Sequence, residues 1–251
     1  MNSLAESVSF ASSSSRLGCS AAELPLLGSL PRPVRERLLE SSRVERLAAR
    51  SELFTKGETA KDLHIVLVGI IDLSCSYKNN ECTALMMAAG DVFMPAAALY
   101  AEPYLISAHA LTASKILMID AEVVRREARI STELALGLAR VMAGQWRVAL
   151  KIILDLKCRS PSQRLAAFLL RLHGAGEAAP PAEIPFSKRQ LASRIGMQPE
   201  TLSRTLQTLA ANGLYLRGRQ IIVTNRAAAE EFCGPDPYPP ASEYELGVHA
   251  L

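Results

Sequence analysis

The densest chemistry in this 251-residue chain lies in the segment SKRQLASRIGMQPETLSRTLQTLAANGLYLRGRQIIV. Within it, Gln198, Glu200, Thr201, Ser203 and Arg204 crowd the start of a helix that begins near Gln198-Pro199. Those side chains suit the edges of base pairs. Arginine bonds guanine O6 and N7 in bidentate fashion, glutamate accepts from cytosine N4, and serine bonds or packs at either pair. The residues just upstream supply a frame for them. Ala192 is small where two helices would cross, Gly196 falls four residues later where a turn needs a left-handed backbone, and Leu202 returns six residues on to the packing face. Leu191, Ile195, Met197 and Leu206 add the remaining apolar contacts. The spacing predicts helix, tight turn, helix, with the second helix in a major groove. Ser187, Lys188 and Arg189 stand ahead of the first helix, where amides and a hydroxyl hold phosphate, and GLYLRGRQIIV predicts a wing whose Arg217 and Arg219 reach phosphate. The competing reading makes Glu200 and Arg204 an ordinary i, i+4 helix pair.

Charge distribution points the same way. The chain carries a net charge of +3, but from Arg159 to Cys233 ten basic residues face five acidic ones, which leaves +5 on this segment and −2 on the rest. A basic module on a nearly neutral body suits a polyanion partner, with a solvated basic surface as the alternative. With 49% hydrophobic and 21% charged residues the chain is long enough for one large or two medium globular domains. No run of eighteen apolar residues occurs and the N-terminus lacks the basic start of a secretory signal, so an intracellular, cytoplasmic protein without membrane contact is expected. The five cysteines (Cys19, Cys75, Cys82, Cys158, Cys233) are odd in number, scattered and without a CxxC pair, which argues for reduced thiols. No GxSxG, HExxH, P-loop or GxGxxG pattern occurs, so an enzyme is not expected.

The elements that must position this chemistry follow from periodicity. Residues 1–22, rich in Ser and Ala, and the proline-rich 234–251 are expected to be disordered. A first helix is expected from Pro33 to Ser42. From Ala48 to Asp120 short β-forming runs punctuated by Gly57, Gly69 and Gly90 predict an antiparallel barrel or roll. A long helix is predicted from Thr132 to Leu156, where Leu134, Leu138, Val141, Gln145, Val148 and Ile152 repeat in a 4,3,4,3,4 spacing. Ala135, Met142, Ala149, Ile153 and Leu156 widen that stripe, so the helix packs either on its own domain or against a copy of itself. Ser160-Pro161 signals a new helix ending near Gly174, with the domain boundary at Lys157 to Ser160, and GAGEAAPPAEIP reads as a loop. His173 is expected to cap its helix end.

Residues 24–233 resemble the CRP/FNR family of bacterial transcription regulators. The E-x-x-S-R pattern of the family's FNR-type recognition helix is met by Glu200, Ser203 and Arg204. The resemblance implies an α+β fold with an N-terminal antiparallel, cupin-like β-roll sensor over 23–130, a dimerisation helix and hinge over 131–158, and a C-terminal winged helix-turn-helix over 159–233. It also implies a homodimer on a palindrome of double-stranded DNA with TTGA-like half-sites, RNA polymerase as a partner, and action as an activator. Cyclic-nucleotide members carry Gly-Glu and Arg-Ser pairs in the roll, where this chain has Pro95-Ala96 and Ile106-Ser107. Cyclic nucleotide binding is therefore not expected, since a buried phosphate would lack its cation. FNR-type clusters need four cysteines, of which only Cys19 remains, so no iron-sulfur cluster is expected. What is left resembles the DNR/NnrR branch, which implies a response to nitric oxide or low oxygen through haem b, with His64 and His109 as candidate ligands. Structural histidines are the alternative for both. Cys75 and Cys82, flanking the turn at Lys78-Asn79-Asn80, are a candidate redox pair. A FixK-like regulator with no bound effector is the alternative function.

Overall fold

Apolar β-formers bury both faces of the strand DLHIVLV, and the computed structural model builds a two-sheet roll around it. The structure describes residues 21–77, 80–173, 182–184 and 187–234, so Cys19, nearly all of 1–22 and the tail beyond Gly234 lie outside the described residues. The strands are β1 (Ser42–Leu47), β2 (Glu52–Phe54), β3 (Asp62–Val68), β4 (Ile71–Tyr77), β5 (Asn80–Met87), β6 (Val92–Phe93), β7 (Ser107–Ala110) and β8 (Ser114–Asp120). They form two four-stranded sheets, ordered β1-β8-β3-β6 and β2-β7-β4-β5. Gly69, at φ +94°, carries the chain out of β3, and a Cβ there would lie 2.2 Å from Ser114 Oγ. Only glycine fits.

The first strand starts at Ser42, six residues ahead of the expected start. Its sequence SRVERL alternates half-buried and exposed positions, and the exposed charges hide it from a search for apolar runs. Arg43 from this strand holds the buried Asp62 carboxylate through two hydrogen bonds of 2.7 Å. Ahead of it, a 3-10 turn at Ala21–Glu23 and α1 (Pro25–Gly28) bury Leu24, Leu26, Leu27 and Leu30. Order therefore begins before α2 (Arg32–Glu40), the helix expected from Pro33. Besides α1 and the last described helix (Arg226–Cys233), two more helices escaped the sequence reading. One is α3 (Pro95–Tyr100), bracketed by Met94 and Ala101 in left-handed conformations. The other is α4 (Ala121–Ile130), capped by Asp120, which accepts from the amides of Glu122 and Val123 at 2.8 and 3.2 Å.

The long helix α5 runs from Thr132 to Cys158. Its predicted stripe turns inward: Leu134, Leu138, Val141 and Val148 are buried, and Gln145 donates to the carbonyl of Val92. A second stripe, Leu136, Ala139, Ala143, Trp146, Leu150 and Ile153, repeats at 3,4,3,4,3 and faces out, with Leu136 52%, Trp146 64% and Ile153 42% exposed. The predicted stripe thus packs on the chain itself, and a different face of the helix carries the outward apolar residues. By packing, Ser76–Ala84 groups with the described residues from Ala149 onward, and the division between the two units falls inside α5.

The C-terminal unit contains α6 (Pro161–His173), α7 (Lys188–Ile195), α8 (Pro199–Ala211), β9 (Leu214–Arg217), β10 (Gln220–Val223) and α9 (Arg226–Cys233). Ser160 and Gln163 cap α6 reciprocally, Ser160 N donating to Gln163 Oε1 at 3.0 Å and Gln163 N to Ser160 Oγ at 3.3 Å. Leu165, Leu169, Leu191, Ala192, Leu202, Leu209, Leu214 and Ile221 make its core.

Candidate nucleic-acid interface

The helix pair α7–α8 is set by local chemistry. Ser187 and Gln190 form a capping box at the start of α7: Gln190 N donates to Ser187 Oγ at 3.3 Å, and Ser187 N donates to Gln190 Oε1 at 2.8 Å. The Ser187 oxygen expected on phosphate thus already accepts from its own helix, while Lys188 and Arg189 lie exposed beside it. Gly196 ends α7 at φ +71°, and Met197 N donates to Ala192 O at 3.0 Å across the turn. Gln198 is extended and Pro199 occupies the first helical position of α8, where its missing amide costs no hydrogen bond.

Helix α8 separates its two faces cleanly. Leu202, Thr205 and Leu209 are buried, whereas Gln198, Glu200, Thr201, Ser203 and Arg204 are exposed. Among the described residues no ion pair joins Glu200 to Arg204, so the simple helix-pair reading does not describe them. Sequence reasoning passed over Gln207, which is exposed on the same stripe, four residues after Ser203 and seven after Glu200. The helical repeat alone would have found it.

The wing has one more extended segment than expected, joined to it by an isolated bridge between Glu183 and Gln220. Strands β9 and β10 pair through Gln220 and Arg217, with Gly218 at φ +64° in the turn. Ala182–Ile184, read from sequence as loop, joins their edge: Ile221 N donates to Ala182 O and Ile184 N to Arg219 O, both at 2.8 Å. Arg219 Nε donates to Ile184 O at 2.8 Å, so this arginine braces the wing, while Arg217 stands exposed at its tip. The rest of the expected loop, 174–181, lies outside the described residues. His173 ends α6, but its buried Nδ1 makes no hydrogen bond, which removes the expected cap through that atom.

In the roll, His64 is 1% exposed and lies among the rings of Phe93, Phe54 and Tyr104, at centroid distances of 5.0, 5.3 and 6.1 Å. Its Nδ1 has no partner, which corrects the idea of a hydrogen-bonded strand histidine for that nitrogen. His109 Nε2 lies 3.1 Å from Glu52 Oε2 on the half-exposed face of the second sheet. A porphyrin needs a cleft beside a ligating nitrogen; aromatic rings fill the space around His64, and a carboxylate meets His109. These residues do not fit haem as they stand. Among the described residues the roll buries no arginine or lysine, and no group of three or more His, Cys, Asp or Glu is placed to hold a metal ion. Cys75 shares its strand parity with the buried Ile71 and Leu73. Cys82 is exposed on β5 and belongs to the other packing unit. Cys75, Cys158 and Cys233 are free thiols, and burial pushes the Cys233 thiol up to about 11.

Burial pushes the His64 imidazole down to about 4, with Asp62 opposing and Arg43 adding to the shift. The unfolded chain then binds a proton near pH 6.5 that the folded roll takes up only near 4. Stability is therefore lost as pH falls through that window, by about 3 kcal/mol in all. Urea titrations at pH 7.5 and 4.5 should show the loss in the wild type. In His64→Phe it should shrink by more than half; an undiminished loss would mean that other groups carry the acid sensitivity.

Comparisons with known proteins agree with this architecture. Residues 163–232 match the family described as Crp-like helix-turn-helix domain, and residues 44–130 match the cyclic nucleotide-binding domain family. The nitrogen fixation regulation protein FixK of Azorhizobium caulinodans is 25% identical over 191 residues, 72% of this chain and 75% of that protein. FixK2 from Bradyrhizobium japonicum has a similar fold at TM-score 0.68 and 22% identity, covering 78% of this chain and 98% of that one. A CooA variant from Carboxydothermus hydrogenoformans gives TM-score 0.66 at 20% identity, covering 78% and 89%. No described helix is long and apolar enough to cross a membrane.

Proposed function

We propose, from the premise that this chain belongs to the CRP/FNR family of DNA-binding transcription regulators, that it acts as a homodimer on a palindromic site. The observation that carries the reading is the exposed stripe of Glu200, Ser203 and Arg204 on a helix whose other face is buried. Arg204 is assigned to guanine, Glu200 to cytosine and Ser203 to the neighbouring pair, within TTGA-like half-sites. Gln198 and Thr201 border these contacts. Lys188, Arg189 and Arg217 supply phosphate contacts, which position the helix without reading sequence. The outward stripe of α5 supplies the two-fold seam, and two copies of α8 then lie one DNA turn, about 34 Å, apart. Contact with RNA polymerase and activation of transcription complete this reading.

For the signal, the packing favours an effector-free, FixK-like regulator over the nitric oxide or low-oxygen response of the DNR/NnrR type. The interior of the roll is filled by Phe54, Phe93, Tyr104, Ile116 and Met118, and among the described residues it offers a bound phosphate no buried arginine or lysine. Selection of sites from random DNA by purified, cofactor-free protein, followed by footprinting, tests both parts. Enrichment of a two-fold palindrome without haem or gas is expected. Enrichment of non-palindromic DNA, or none, would overturn the dimeric reader, and a palindrome bound only after haem and nitric oxide are supplied would restore the gated form.

A further inference from the structure

The last turns of α5 are tied to the helix-turn-helix by a chain of polar contacts centred on one carboxylate. Asp155 Oδ1 accepts from Arg159 Nη1 at 3.0 Å, and Asp155 Oδ2 from Arg171 Nη2, at the far end of α6, at 3.4 Å. The Asp155 and Arg159 side chains are only 16% and 8% exposed, so water screens this pair far less than a surface pair. The Arg159 carbonyl in turn accepts from Arg164 Nη1 at 2.9 Å, and Arg164 Nε donates to the carbonyl of Ile195, the last residue of α7, at 3.1 Å. The next side chain on α5 reinforces the joint. Leu156 Cδ2 would be 3.4 Å from a Cβ on Gly196, so it lies under the turn between α7 and α8.

We propose that Asp155 is a positioning residue for DNA reading, fixing the angle between the end of the dimerisation helix and the recognition helix and hence the half-site spacing the dimer accepts. The reasoning rests on the DNA-binding, dimeric reading above. Both ends of α6 and the turn of the helix-turn-helix are linked to Asp155 in the last two turns of α5: Arg171 directly, Arg164 through Arg159, and Ile195 through Arg164 and Arg159 in turn. A bend at Lys157 to Ser160 would have to break the contacts of Asp155 with both Arg159 and Arg171. Asp155 therefore converts a helix followed by a proline-started helix, which sequence alone reads as a hinge, into a stiff elbow. In a two-fold dimer each elbow sets the distance between the two copies of α8, and one base pair along the duplex is about 3.4 Å. Asp155 touches no base or phosphate in this account; it acts through the helices it holds.

The test uses the full-length dimer and the palindrome selected by the wild type, together with versions whose central spacer is longer or shorter by one base pair. The wild type should lose at least tenfold in affinity on either altered spacer. In Asp155→Asn that penalty should fall to threefold or less, with dimer mass and the salt dependence of binding unchanged, and Asp155→Glu should restore part of it. Arg171→Gln removes the more exposed arm of the carboxylate's two contacts and should relax spacing in the same direction, so the idea remains testable if Asp155→Asn folds poorly. A full spacing penalty in both variants overturns the proposal. A wild type that ignores both spacer and sequence would instead overturn the DNA-reading assignment itself.

Discussion

Arg204→Ala should bind its own palindrome and one with the guanine of each half-site replaced about equally well, whereas the wild type should prefer the first by roughly 5- to 150-fold per half-site. The figure is the worth of one bidentate arginine–guanine contact, about 1–3 kcal/mol. The fold should be untouched, because Arg204 is exposed on α8 and its neighbours Leu202 and Thr205 carry the packing. Loss of one cation also lowers binding to every sequence, but by a salt-dependent amount that does not change the ratio between the two DNAs. Competition binding at two salt concentrations separates these effects. Arg204→Lys should behave much like the alanine variant, since an ammonium cannot present the planar pair of donors. An unchanged preference in Arg204→Ala would remove Arg204 from base reading.

Trp146→Glu should convert the proposed dimer to monomers and weaken palindrome binding by at least a hundredfold. Trp146 sits in the middle of the outward stripe of α5, and in a two-fold interface the same patch on each copy meets its mate. Two carboxylates brought into an apolar seam would lose hydration without gaining cations. Binding two half-sites through one dimer gains about 10²- to 10⁴-fold over either alone, and a monomer forfeits that gain. Because Trp146 is 64% exposed in the single chain, the substitution should leave the monomer folded. Sedimentation velocity reads the assembly and titration with a single half-site reads the remaining affinity. Leu138→Glu is the contrasting variant: Leu138 is buried in the chain's own core, so its loss should unfold the roll. A Trp146→Glu protein that sediments as a dimer would move the seam elsewhere.

The helix-turn-helix was legible because its determinants are local. Ala192, Gly196 and Leu202 meet within one small unit, and the cap of α6 is written in the adjacent pair Ser160-Pro161. Where the fold depends on distant partners, periodicity misled. The stripe through Leu134, Leu138 and Val141 has coiled-coil spacing, but what it meets is Leu26 and other core residues contributed from far away in the sequence. The outward stripe is diluted by Ala139 and Ala143 and carries a weaker signal. Helix α3 was hidden because PAAALY is as apolar as a strand, and its two left-handed flanking residues are not glycines. The extended segment Ala182–Ile184 beside the wing was hidden by Pro180 and Pro181 just before it in the sequence. At Arg219 the residue type predicted a phosphate ligand, but only the fold brings the carbonyl of Ile184 to its Nε.

Trp146 is also the chain's single tryptophan. In the proposed dimer the indole, which stands in water in the single chain, is covered, so intrinsic fluorescence becomes a one-channel optical reporter of assembly. No second indole blurs the emission, so the association constant can be followed on unlabelled protein, during DNA titration, with the chain's own chromophore.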